Sequence, residues 1–223
     1  HKLGDAFIDL SAQESDILID NLKDSATING DIEIILSFIS EKHPKKIIKL
    51  FKYRVNSKEV LEKKYKYYDA IPYRIDEEKL KENLQKDTKI ITEIDTWFAQ
   101  DDLLAWEGAD LLYKIFGLSE NLKSYLNELI NKGDLSSAKK VLLVLRSYDH
   151  DMNNGENYLG NIDDVAVNFV SKFSNEKDLL TSLKIILGNP GGVTGEYGMA
   201  EGYKKINERI RPFLNHANTE VKK

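Results

Sequence analysis

The densest group of chemistry-bearing side chains in this 223-residue chain lies between Lys42 and Lys66, where ten basic residues meet only Glu59 and Glu62. Lys45, Lys46, Lys49, Lys52, Arg54, Lys63, Lys64 and Lys66 form the candidate interaction patch, with Phe51, Tyr53, Tyr65, Tyr67 and Tyr68 interleaved. Cations beside aromatic faces can hold phosphates and stack bases. Lysine outnumbers arginine here, which suits contact by point charge better than bidentate reading of base edges. The preferred reading is a solvated lysine face with its tyrosines packed inward.

Other chemical patterns start and then fail. Asp149-His150-Asp151-Met152-Asn153 opens like a calcium loop, in which oxygens at alternate positions surround a hard cation. Asn154 then stands where the loop's glycine is required, and Gly160 where a bidentate glutamate should close it, so a surface loop is expected. The glycine-rich run Gly188 to Gly198 lacks the lysine-hydroxyl pair of a phosphate-cradling loop and follows a helical pattern, which makes it a turn region. His1, His43, His150 and His216 have no metal-ligand spacing, and His43 and His216 read as exposed loop residues. There is no cysteine and no G-x-S-x-G elbow. Asp101-Asp102 and Asp163-Asp164 stand at helix starts, where carboxylates complement the macrodipole. No catalytic, cofactor-binding or metal-binding residue is assigned, no cofactor is called for, and a non-enzyme is expected.

The elements that would position the basic patch are helices. The organising stretch is Asp101 to Tyr148, three amphipathic segments over Asp101–Phe116, Glu120–Lys132 and Asp134–Tyr148. Leu103, Leu104, Leu111, Leu112, Ile115 and Phe116 recur at three- and four-residue intervals, as do Leu122, Tyr125, Leu126, Leu129 and Ile130, then Ala138, Val141, Leu142, Leu145 and Tyr148. Gly117 and Gly133 sit where left-handed C-terminal caps are wanted, with Ser119 and Asp134 as the following N-caps. Upstream, Leu3 to Leu10 is a short apolar piece, Ser11 and Glu14 match a capping box, Asp31 should cap Ile32–Ser40, and Pro44 opens a helix carrying Ile47, Ile48, Leu50 and Phe51. Helices are also expected over Glu77–Leu84 and Ile90–Phe98, the latter capped by Asp87. Downstream they are expected behind Asp163, over Leu179–Leu187 capped by Asn175, and from about Glu196 or Met199 to Phe213. Trp97 and Trp106 read as core anchors.

Asp69 to Tyr73 breaks the pattern ahead of Pro72. The expected division is an N-terminal helical segment, 1–68, bearing the basic face and a repeat region over 69–223, or one continuous array. His1 and the charged run Glu220–Lys223 suggest a piece of a larger polypeptide. No apolar run reaches the roughly 18 residues of a membrane helix, and no leader pattern opens the chain. A soluble cytoplasmic protein without membrane contact is expected.

Three stretches carry a resemblance: Trp106-Glu107-Gly108-Ala109-Asp110-Leu111-Leu112, Val144-Leu145-Arg146-Ser147-Tyr148-Asp149 and Gly192-Val193-Thr194-Gly195-Glu196-Tyr197-Gly198. With a helix-pair period of roughly 35 to 45 residues, the second half resembles a degenerate HEAT/armadillo-like helical-repeat region. It is similar to the C-terminal repeats of large bacterial multidomain proteins of NTPase and defence-associated type. That resemblance implies a sensor or scaffold module and carries over no catalytic residue. The expected fold is all-α, an α-solenoid of HEAT-like antiparallel helix pairs, each burying its stripe against neighbours. The expected function is a non-catalytic protein-interaction, scaffold or sensor module. The alternative is a nucleic-acid-binding helical repeat using the Lys42 to Lys66 face.

Overall fold

The computed structural model describes residues 10–117, 119–150, 163–188, 198–215 and 219; these are helical with no strand among them. The helices are α1 (Ala12–Leu22), α2 (Gly30–Lys42), α3 (Pro44–Asn56), α4 (Lys58–Lys64), α5 (Glu78–Lys86) and α6 (Lys89–Asp95), followed by a 3₁₀ turn (Thr96–Ala99). Then come α7 (Asp102–Phe116), α8 (Glu120–Lys132), α9 (Leu135–His150), α10 (Asp163–Lys172), α11 (Lys177–Leu187) and α12 (Gly198–Leu214). Two compact units result, residues 1–116 and 117–223. The Asp69–Tyr73 break lies inside the first of them.

Local chemistry explains several helix ends. Glu14 N–H donates to Ser11 Oγ at 3.2 Å and Ser11 N–H to Glu14 Oε2 at 2.9 Å, completing the capping box. Pro44 opens α3 at its first turn, where a missing N–H costs nothing. Gly117 and Gly133 have φ of +51° and +73°, a conformation in which a Cβ is strained. Ser119 accepts from Leu122 N–H, Asp134 from Ser137 N–H and Asp101 from Leu104 N–H. Three expected caps are corrected. Asn29, not Asp31, caps α2 by accepting from Ile32 N–H, which leaves Asp31 in the first turn. At α6 the cap position falls to Thr88, which makes no capping bond, while Asp87 Oδ1 accepts from Lys89 N–H at 3.0 Å. At α11 the cap position falls to Glu176, whose side chain makes no capping bond, and not to Asn175.

In the first unit α3 is the central helix, packed on α1, α2, α4, α6 and α7. Its Ile47, Ile48, Leu50, Phe51 and Val55 are buried. α2 packs on α5, and Asn83 ties the two by donating to Ser37 O and Ser40 Oγ, both at 3.1 Å. Trp97 is fully buried against Gly108 of α7, as an anchor should be. Trp106 is 38% exposed and is no core anchor, and Leu103 on the same helix is 41% exposed. In the second unit α8 packs on α9 and α10, α9 on α11, and α12 on α10 and α11. Leu122, Leu126, Leu129 and Ile130 of α8 are buried, as are Ala138, Val141, Leu142 and Leu145 of α9. No described helix is long and apolar enough to cross a membrane.

Candidate interaction face

The basic patch separates into four sets once α3 is in place, Arg54 being the last. Lys45, Lys49 and Lys52 follow one another at intervals of four and three residues, so they line one side of the helix, away from its buried side. Lys45 and Lys49 are exposed and Lys52 half-buried. None of the three has a carboxylate or ring partner among the described residues. Lys46 belongs to a different edge, where it pairs with Asp16 and donates to Ala12 O at 2.8 Å, tying α3 to α1. Lys63 and Lys64 end α4, and Lys66 follows; all three are exposed, with Lys64 over the Tyr65 ring and Lys66 over Tyr67.

The cause of the unpaired stripe is compositional. α3 contains no aspartate or glutamate. Elsewhere helices supply their lysines with an acid one turn away, as in Lys23 with Asp20, Lys114 with Asp110 and Lys123 with Glu120. Like charges three or four apart cost a few tenths of a kcal/mol each, so about 1 kcal/mol of repulsion remains on α3. An anion arriving from outside the described residues would offset it. Tyr53, one turn from Lys49, borders the stripe at 42% exposure, and Lys23 Nζ lies 5.1 Å from its ring centre.

Arg54 is not part of this face. It is 0% exposed, on the opposite side of α3, and its guanidinium serves backbone carbonyls. Nε donates to Ala70 O at 3.0 Å, Nη1 to Leu22 O at 3.0 Å and Ser25 O at 2.7 Å, and Nη2 to Asp69 O at 2.6 Å. Leu22 O lies at the C-terminus of α1, where a cation is favoured, and also accepts from Ser25 N–H at 3.2 Å and Ser25 Oγ at 2.8 Å. Burial pulls the guanidinium below its usual range, although the Tyr68 hydroxyl and the Asp69 and Asp24 carboxylates oppose that. The Tyr68 ring lies 5.0 Å below the guanidinium, and its hydroxyl donates to Arg54 O at 2.9 Å. Helical spacing already separates Arg54 from the Lys45–Lys49–Lys52 row, and that signal was open to a sequence reading.

The tyrosines divide as well. Tyr68 is buried, whereas Tyr53 and Tyr67 are exposed, 42% and 72%, which corrects the expectation that all pack inward. His43 is half-buried between α2 and α3, not an exposed loop residue. The calcium-like run reads as a loop from Asp149, but Asp149 and His150 are the last residues of α9; the rest of that run, residues 151–160, the glycine-rich residues 189–197, and His1, His216 and Leu3–Asp9 lie outside the described residues. Among those described, no group of three or more histidines and carboxylates is placed to hold a metal ion.

One buried carboxylate had no sequence signal. Glu33 of α2 is 3% exposed, and its Oε2 accepts from Asp76 N–H at 2.8 Å and Glu77 N–H at 2.9 Å, at the start of α5. Burial raises its pKa, and the two backbone N–H bonds oppose that. Glu33, Arg54 and Asn83 thus spend their polar atoms on holding helices together. Comparison with protein-family models, curated proteins and solved structures finds no match to this chain.

Proposed function

We propose that this chain is a non-catalytic protein-interaction module of a larger cytoplasmic protein, and that it binds an acidic protein surface through Lys45, Lys49 and Lys52. The observation that carries the reading is the unneutralised lysine row on the most embedded helix of the first unit. A charged row on a helix packed on five neighbours is presented rigidly, so a partner meets it with little ordering cost. Glu33, Arg54 and Asn83 support the reading too, since their side chains bond across to other helices or loops. In the second unit the pairing of each helix with its successor, its next-but-one neighbour or both is what stacked helix pairs produce, and it supports a HEAT-like solenoid there. A scaffold or sensor role follows from such an array.

Nucleic acid is the second reading, favoured by the exposed faces of Tyr53 and Tyr67 beside the lysines. A photo-crosslinking side chain at position 49, with one at Asp178 as control, decides between them in cells. The expected product is a protease-sensitive adduct at position 49 that disappears when Lys45 and Lys52 are changed to Glu. A nuclease-sensitive adduct moves the assignment to nucleic acid. No adduct specific to position 49 removes this face from the function.

A further inference from the structure

α12 carries a second surface of opposite character. Met199, Tyr203, Ile206, Ile210 and Leu214 follow at intervals of four, three, four and four residues, which sets them along one side of the helix. Met199, Tyr203 and Leu214 are 57%, 60% and 57% exposed, and Ile206 and Ile210 are half-buried. The helix meets α10 and α11 next to this stripe, with Gly198, Gly202 and Phe213 buried among its described residues. α8 and α9 behave differently, since Leu122, Leu126, Leu129 and Ile130 of the one and Val141, Leu142 and Leu145 of the other are buried.

The stripe spans about 22 Å at 1.5 Å per residue, four helical turns. One edge is set by the seat on α10 and α11. Along the other run exposed Lys204, Asn207 and Arg211, and exposed Glu208 stands further round the helix. A long, narrow apolar strip with cations on its free edge fits the face of one further helix, docked as α12 itself docks on α10 and α11.

We infer that the Met199–Leu214 face of α12 binds an amphipathic helix whose apolar stripe is flanked by acidic residues. Such a helix buries Met199, Tyr203 and Leu214 and brings carboxylates to Lys204 and Arg211. This face shares no residue with the α3 lysine row, so either assignment can fail alone.

The test uses the full chain and two synthetic helical peptides with the same leucine stripe, one flanked by glutamates and one by lysines. Fluorescence anisotropy reads binding. The expected result is that the glutamate-flanked peptide binds at least about tenfold more tightly than the lysine-flanked one, a difference of ~1.4 kcal/mol. Met199→Glu with Tyr203→Glu should weaken it by about tenfold or more with an unchanged melting temperature, because both side chains are exposed. Lys204→Glu with Arg211→Glu should reverse the preference between the peptides. Equal binding of the two peptides, or binding that survives Met199→Glu with Tyr203→Glu, overturns the proposal. So does binding to equimolar phosphatidylcholine–phosphatidylserine vesicles in place of peptide, or a monomer–dimer equilibrium abolished by those two substitutions.

Discussion

Arg54 shows how position on a helix decides what a charge does. Its neighbour Lys52 points toward solvent, while Arg54, two residues on, is enclosed and bonded to carbonyls from three directions. Arg54→Lys keeps the charge but replaces a planar fork by one ammonium, which cannot reach Ala70, Asp69 and Ser25 together. Each buried acceptor left unpaired costs about 1–3 kcal/mol, so a loss of about 3 kcal/mol or more is expected in urea unfolding. A loss below about 1 kcal/mol would mean that water replaces the guanidinium at little cost. Glu33 gives the pH dependence. Its folded pKa is raised, so its favourable share of stability is complete below the ordinary carboxylate range and is lost as pH rises through the folded value. Glu33→Gln keeps an acceptor oxygen without the charge. The variant should therefore gain on the parent as pH rises from the ordinary carboxylate range, about pH 4, through the raised folded value, as read by parallel urea titrations. A constant difference between the two proteins over that interval would refute the assignment.

At the scale of elements, caps and glycines carry the local instructions, and neighbours decide which face is used. Gly133 at φ +73° ends α8, and a Cβ there would meet Lys172 Cε of α10 at 2.7 Å. The lysine chain can move away, but the left-handed backbone cannot accept a Cβ without strain. Gly133→Ala is expected to cost about 1–2 kcal/mol in thermal or urea unfolding. A neutral result would mean that the cap relaxes to another conformation. α3 and α12 are both strongly two-sided, with opposite outcomes. α3 buries its apolar side under five neighbours and shows lysines, whereas α12 has its apolar stripe only partly covered.

For the whole molecule, the two compact units make the effects of substitution local. Hydrogen exchange followed by mass spectrometry should find the Gly133→Ala loss within residues 117–223 and the Arg54→Lys loss within 10–116. Spread of either loss over both units would make the chain one cooperative block. The all-helical content, the three segments from Asp102 to His150, the Ser11 capping box and the glycine ends were legible in the sequence. They depend on spacing of three and four residues and on side chains that bond to backbone within one turn, so no distant residue is needed. Ile47, Ile48, Leu50 and Phe51 were legible as buried for the same reason. The removal of Arg54 from the basic patch was half legible, since the spacing sets it apart from the lysine row but does not say that Leu22, Ser25, Asp69 and Ala70 turn their carbonyls toward it. Burial of Glu33, exposure of Trp106 and the uncovered stripe of α12 had no local signal. Each is settled by which other helix lies against it, and that depends on contacts between residues dozens of positions apart. A sequence states that a helix has an apolar side; only the tertiary structure decides whether that side is covered.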